Sequence, residues 1–91
     1  MEIRNFTNLK GKKAIVTGAA QGLSLGMAEG LMEAGAEVCI MDISSRVLQK
    51  AIEMSRKGFC CHGVIADLGN DDSLQAGFQK ALDQLGGYLV R

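Results

Sequence analysis

A short apolar run stops at a glycine-rich turn and gives way, within five residues, to residues at helical spacing: Lys12-Lys13-Ala14-Ile15-Val16-Thr17, then Gly18-Ala19-Ala20-Gln21-Gly22, then Leu23, Met27 and Leu31 four apart. That junction constrains the chain more than any other stretch. The run is bounded by glycines and carries β-branched residues, so it reads as a strand. It is apolar on both faces, as a buried parallel strand is. A strand that feeds a helix through a glycine turn leaves backbone N–H groups unpaired at the helix start, with the positive end of the helix dipole behind them. Anions bind at such a place, and a ligand phosphate is expected there.

The same alternation then repeats. A first helix is predicted from Leu23 to about Ala34, with Leu23, Met27, Leu31, Ala28 and Ala34 on its inner side and Gly22, Gly26 and Gly30 marking a close approach to sheet or ligand. Gly35 stops it, and Glu37–Asp42 forms a second strand ending in an acid. Ser44 or Ser45 caps a second helix to about Lys57, with Val47, Leu48, Ala51, Ile52 and Ser55 inward. After Gly58 a third apolar run, Phe59–Ala66, ends at Asp67. Asn70 or Asp71 caps a third helix whose Leu74, Phe78, Ala81, Leu82 and Leu85 form the inner stripe, and Tyr88-Leu89-Val90 opens a fourth strand. The expected fold class is α/β, an incomplete parallel sheet of the order βαβαβα plus the start of a fourth strand. Right-handed crossovers put the first two helices on one face and the third on the other. An apolar sheet face is then expected to be partly bare, and the isolated chain to be marginally stable, to self-associate or form a homo-oligomer, or to depend on sequence it lacks. Residues 1–11 read as a lead-in anchored by Ile3, Phe6 and Leu9, and 12–91 as the sheet unit.

Composition narrows the function classes. The 91 residues allow one domain at most, and 47% apolar with 22% charged residues is globular rather than disordered. Ten Lys and Arg balance ten Asp and Glu, interspersed along the chain, so neither a nucleic-acid nor an anionic-membrane surface is expected as partner. No apolar stretch has signal-peptide or membrane-spanning length, and the expected location is cytoplasmic. Cys39, Cys60 and Cys61 are odd in number and sit in apolar runs, which suits reduced thiols. With one histidine, His62, and no C-x-x-C pair, no metal site is expected. His62 reads as a structural or surface residue of the third strand.

The glycine turn departs from the general dinucleotide fingerprint G-x-G-x-x-G, because three residues separate Gly18 from Gly22 and Ser24 holds the third small position. The physical tasks are unchanged. Gly18 makes the tight exit from the strand, Gly22 lets the backbone approach a pyrophosphate, and Ser24 offers a hydroxyl. Asp42 lies 20 residues after Gly22 at the end of the second strand, where an adenosine ribose would sit. A carboxylate there accepts from both ribose hydroxyls and repels a 2′-phosphate, which favours NAD over NADP. Neither Ile43 nor Gln21 is basic, and Arg46 is the cation near enough to oppose that preference. A plain strand-end acid or helix cap is the alternative for Asp42. A transferase using S-adenosylmethionine is a rival reading, against which the Gly18–Gly22 spacing speaks.

Thr17-Gly18-Ala19-Ala20-Gln21-Gly22-Leu23-Ser24 resembles the T-G-x-x-x-G-x-G turn of the short-chain dehydrogenase/reductase family, and the resemblance runs from about Leu9 to Gly87. Leu9-Lys10-Gly11-Lys12 is similar to that family's Leu-x-Gly-Lys lead-in. Asp67 in Ala66-Asp67-Leu68 resembles its adenine-contacting acid, while Ser24 departs from its last glycine. The resemblance implies a Rossmann-like, NAD(P)-binding half-domain over 12–91, truncated relative to the family. It also implies an oxidoreductase that moves hydride between a nicotinamide cofactor and an alcohol or carbonyl, with a sugar acid or polyol as the suggested substrate. The cofactor residues so implied are Thr17, Gly18, Gln21, Gly22, Leu23, Ser24, Asp42, Ile43, Asp67 and Leu68. The family's N-N-A-G motif and its Ser with Y-x-x-x-K have no counterpart here. Tyr88 is the only tyrosine and its lysine partner would fall beyond Arg91. No catalytic residue is therefore assigned, and the 91 residues alone are expected to be inactive. The alternatives are a non-catalytic dinucleotide-binding module and an inactive truncated product.

Overall fold

The computed structural model describes residues 9–19 and 22–85. It alternates strand and helix: β1 (Lys13–Thr17), α1 (Gly22–Glu33), β2 (Glu37–Asp42), α2 (Arg46–Arg56), β3 (Cys61–Ile65) and α3 (Asp71–Gln84). The three strands form one parallel sheet in the order β1-β2-β3. Thr17 is in register with Met41, and Asp42 with Ile65, so all three strands end along the same edge. The fold is the expected Rossmann-like α/β unit with an incomplete sheet. The strand expected at Tyr88–Val90 and the anchors Ile3 and Phe6 lie outside the described residues.

Glycine closes both of the first two helices by the same hydrogen-bond pattern. At α1 the Gly35 N–H donates to the Met32 carbonyl and the Ala36 N–H to that of Leu31, both at 3.0 Å. At α2 the Gly58 N–H donates to Ser55 at 3.0 Å and the Phe59 N–H to Met54 at 3.2 Å. These are paired Schellman closures that use carbonyls the helix leaves orphaned. At the start of α3, Asn70 is the cap, its Oδ1 accepting from the Ser73 N–H at 2.9 Å. Ser45 caps α2 by position without a side-chain bond, while the Ser44 hydroxyl accepts from the Arg46 N–H at 3.2 Å.

The core has two halves, one on each side of the sheet. Val38 and Ile40 of β2 point into a cluster with Leu25, Ala28 and Met32 of α1 and Val47, Ala51 and Met54 of α2. Cys39 and Met41 point the other way, to Val64, Ala66, Ala81 and Leu85. α1 and α2 thus share a face and α3 covers the other, as right-handed crossovers require. β2 is buried on both sides, whereas none of the five residues of β1 is buried.

The expected inner stripes hold in part: Ala28, Val47, Ala51, Ala81 and Leu85 are buried and Leu31 and Leu74 pack against the core, whereas other members face outward. In α1 the buried side chains are Leu25, Ala28 and Met32, and Leu23 is 84% exposed. The helix is apolar on nearly every side, so spacing alone did not select a face. Gly26 is exposed with open space beside it, and Gly30 is the glycine that is buried. α2 buries Val47, Ala51 and Met54 and leaves Leu48 and Ile52 outside. α3 buries Gly77, Ala81 and Leu85, with Phe78 at its margin. A Cβ at Gly77 would lie 2.7 Å from that of Ala66, so α3 sits too close to the sheet there for any side chain.

Candidate functional site

The site predicted from sequence falls on the C-terminal edge of the sheet. β1 ends at exposed Thr17, and the chain turns at Gly18, whose N–H donates to the Met41 carbonyl at 2.7 Å. The Ala19 N–H reaches the same carbonyl at 3.4 Å, and the Ala19 side chain is fully buried. The end of β2 therefore fixes the first half of the turn. Gly18 and Gly22 have φ of +67° and +74°, a region that side chains other than glycine enter at a cost. Among the described residues, a Cβ added at either would meet nothing within 4 Å, so both glycines border open space there.

Gly22 is the first residue of α1, and no acid occupies that helix's first turn. The positive end of a 12-residue helix dipole thus lies at the turn, with no acid within that helix's own first turn. Leu23 is exposed and Ser24 half-buried beside it. Gln21 lies outside the described residues.

Asp42 and Asp67 stand at the ends of the next two strands, each shaped by a local turn. Asp42 is half-buried, and its Oδ1 accepts from the Ser44 N–H at 3.1 Å. The following Ile43 is 62% exposed. The Ala66 N–H donates to the Asp42 carbonyl at 2.9 Å, which ties the two strand ends together. Asp67 accepts at Oδ1 from the Gly69 N–H at 3.0 Å, while its own N–H donates to the Ser73 hydroxyl at 2.9 Å. Leu68 is 37% exposed next to it. Exposed Leu23, Ile43 and Leu68 thus follow the ends of successive strands along one edge, an apolar margin beside the glycine turn and two carboxylates.

Sequence reasoning did not foresee two supports of this edge, the Met41 carbonyl and the Ser73 hydroxyl. The Asn70 cap bond uses the Ser73 backbone N–H, which other residues would supply equally, so neither the Ser73 hydroxyl nor the Met41 carbonyl carries a local signal.

Two further polar side chains lie away from the edge. His62 Nε2 and Glu37 Oε2 meet at 2.7 Å near the N-terminal end of the sheet, each side chain about a third exposed. Burial, with neighbouring Cys61 adding to it, pushes the Cys39 thiol up to about 11; burial alone does the same to Cys61. Both are inert as nucleophiles at neutral pH. All three cysteines are unpaired, and only Cys60 is exposed. Among the described residues no three His, Cys, Asp or Glu side chains gather as metal ligands, and no helix is long and apolar enough to cross a membrane.

Comparison with known proteins accounts for this arrangement. The family model described as short chain dehydrogenase matches residues 12–89. Oxidoreductase UcpA of Escherichia coli K12 is 35% identical over 78 residues, covering 86% of this chain and 30% of that protein. The 1-deoxy-11-beta-hydroxypentalenate dehydrogenase of Streptomyces exfoliatus is 34% identical over 84 residues, 91% of this chain and 30% of that one. The crystal structure of a hydroxysteroid dehydrogenase from Escherichia coli superposes with a TM-score of 0.83 at 28% identity, over 91% of this chain and 34% of the other. The chain thus spans about a third of the length of the proteins it matches.

Proposed function

The chain belongs to the short-chain dehydrogenase/reductase family, and we propose that residues 12–91 are the dinucleotide-binding portion of an oxidoreductase that prefers NAD to NADP. Residues 1–11 lead into it. One observation carries the reading: two positive-φ glycines border open space at the start of α1, and Asp42 follows at the end of the adjacent strand. These residues fit a dinucleotide. In this reading Thr17, Gly18, Gln21, Gly22 and Ser24 surround the pyrophosphate, whose charge meets the α1 dipole. Asp42 accepts from the ribose hydroxyls and repels a 2′-phosphate. Leu23, Ile43, Asp67 and Leu68 border the adenosine.

The bound dinucleotide supplies hydride transfer to or from an alcohol or carbonyl. What this chain contributes is binding, orientation and choice between the two cofactors. No residue of the chain is assigned to proton transfer. The substrate proposed is a sugar acid or polyol, on the resemblance alone. Three unpaired thiols suit the reducing cytoplasm, which is the proposed location. Self-association is the proposed state, because among the described residues apolar side chains beside the sheet stay exposed, Ile65 of β3 at 46% and Leu48 of α2 at 43%, and no residue of β1 is buried.

Titration of the purified chain with NAD, NADP and S-adenosylmethionine, followed by thermal shift and calorimetry, tests this function. Stabilisation by NAD above NADP is expected. Turnover without any added protein would contradict the assignment of no catalytic residue, and stabilisation by S-adenosylmethionine alone would replace the oxidoreductase with a transferase.

A further inference from the structure

We infer that the outer edge of β3 is the surface on which a second copy of this chain docks, edge to edge about a two-fold axis, so that two three-stranded sheets become one. The inference rests on the proposal that the chain self-associates and says where it does so.

The backbone of β3 sets the geometry. The Val38 N–H donates to the Cys60 carbonyl and the Ala66 N–H to that of Asp42, so the even-numbered residues of this stretch turn their peptide groups toward β2. The odd-numbered residues Cys61, Gly63 and Ile65 turn theirs outward. The Ser55 hydroxyl donates to the Cys61 carbonyl at 3.1 Å and satisfies it. Gly63 and Ile65 remain, and among the described residues β3 pairs with β2 alone. Natural edges are protected by lysine, proline or a bulge. Cys61-His62-Gly63-Val64-Ile65 has none of these, whereas β1 begins at Lys13.

A groove of about 350 Å³ runs along that edge, lined by Leu48 of α2, Gly63, Val64 and Ile65 of β3, and Lys80 and Asp83 of α3. Leu48 and Ile65, which line it, are 43% and 46% exposed, and Ile52, one turn on from Leu48 along α2, is 47% exposed. A two-fold axis at Val64 places Gly63 of each copy opposite Ile65 of the other. In an antiparallel ladder two residues whose peptide groups face each other exchange both hydrogen bonds. The large Ile65 side chain then meets the position that has none. A Cβ at Gly63 would itself be crowded on the inner side, 3.0 Å from both the Ala51 Cβ and the Val47 carbonyl oxygen.

The charges select a second copy over an unrelated strand. Lys80 and Asp83 stand one turn apart on α3, flanking the groove. Antiparallel packing of two α3 helices across the axis brings Lys80 of each to Asp83 of the other, twice per dimer. On the opposite face Leu48 and Ile52 of the two copies cover one another.

Sedimentation equilibrium of the full chain under reducing conditions, which keep exposed Cys60 from cross-linking, tests the surface. Wild type is expected to dimerise reversibly. Lys80→Asp makes the strip wholly acidic and Asp83→Lys wholly basic, so each is expected to weaken dimerisation about tenfold or more, with unchanged far-ultraviolet circular dichroism. The two single variants, mixed, are expected to form a one-to-one heterodimer, and the double swap to restore the homodimer. Ile65→Lys is expected to leave a monomer. A monomeric wild type would refute self-association itself. A wild-type dimer that both charge variants and Ile65→Lys leave intact would refute this surface alone.

Discussion

At the C-terminal end of the sheet Gly18 and Gly22 hold positive φ beside open space, while near the N-terminal end Glu37 and His62 close on one another at 2.7 Å. There too the Lys13 ammonium donates to the Leu85 carbonyl, which fastens the end of α3 to β1. One end thus uses its side-chain polar groups on the protein itself. The other bonds its acids to nearby backbone N–H groups, Asp42 to Ser44 and Asp67 to Gly69, and leaves the start of α1 open. A parallel sheet makes this asymmetry available, because every helix that follows a strand begins at the same end. Binding is therefore expected to respond to changes at one end and stability to changes at the other.

The largest test of that division is Gly22→Val. A β-branched residue at φ +74° is strained and fills the space beside the turn, so NAD binding is expected to vanish in calorimetry. Gly58→Ala is the control, because Gly58 has φ +98° but lies at the far end of α2. It is expected to lower stability by about 1–2 kcal/mol while NAD affinity holds. Equal loss of binding in both variants would show that strain, rather than the turn, governs affinity. Next in size is Asp42→Ala, expected to narrow the NAD-over-NADP preference about tenfold by removing the repulsion of a 2′-phosphate. An unchanged ratio of dissociation constants would return Asp42 to a turn-forming role through its bond to Ser44.

A third effect is confined to the closed half of the molecule. Cys39 and Cys61 keep their protons in the native state up to about pH 11, against an ordinary thiol value of 9.0. Between those values the unfolded chain has released protons that the native chain still holds. The stabilisation is whole below about pH 9, declines as pH rises, and is gone above about 11. The thermal midpoint is expected to fall across this window, and Cys39→Ala with Cys61→Ala to flatten the fall. At neutral pH a maleimide should label Cys60 alone until the chain unfolds.

The strands, their parallel order and the turn were legible because each is written in adjacent residues. Glu37–Asp42 matches its expected bounds, and β1 loses only Lys12. The cap of α3 was legible as Asn70 or Asp71, residue types whose short polar side chains reach backbone N–H groups, and Asn70 is the one that does so. The inner faces of the helices were less so. Leu23 is four residues from Met27 and fits a stripe, yet among the described residues it is the most exposed of the large apolar side chains. α1 is apolar nearly all round, and its orientation is set by where the turn delivers it to the sheet. Gly77 was missed for a related reason, since its need arises from a 2.7 Å approach to Ala66, a contact across eleven residues that no local pattern records. The Glu37–His62 pair likewise joins residues 25 apart.

That pair supplies the smallest predicted effect and the sharpest limit on the comparison. Each side chain is about a third exposed, so water and salt screen the interaction and its contribution is expected to stay below about 1 kcal/mol. His62→Ala and Glu37→Gln should each lower stability slightly, and the double variant no more than the larger single, because once one partner is gone the other returns to water. The effect should shrink with added salt, and NAD affinity should not move. A change in affinity from either variant would mean that the two ends of the sheet communicate through β2, whose residues Val38 to Met41 are fully buried between the two half-cores. A tightly packed strand is rigid enough to carry such a shift. Comparing His62→Ala with Ile40→Val, which loosens β2 without touching either end, would then separate transmission through the strand from a direct effect of the charge.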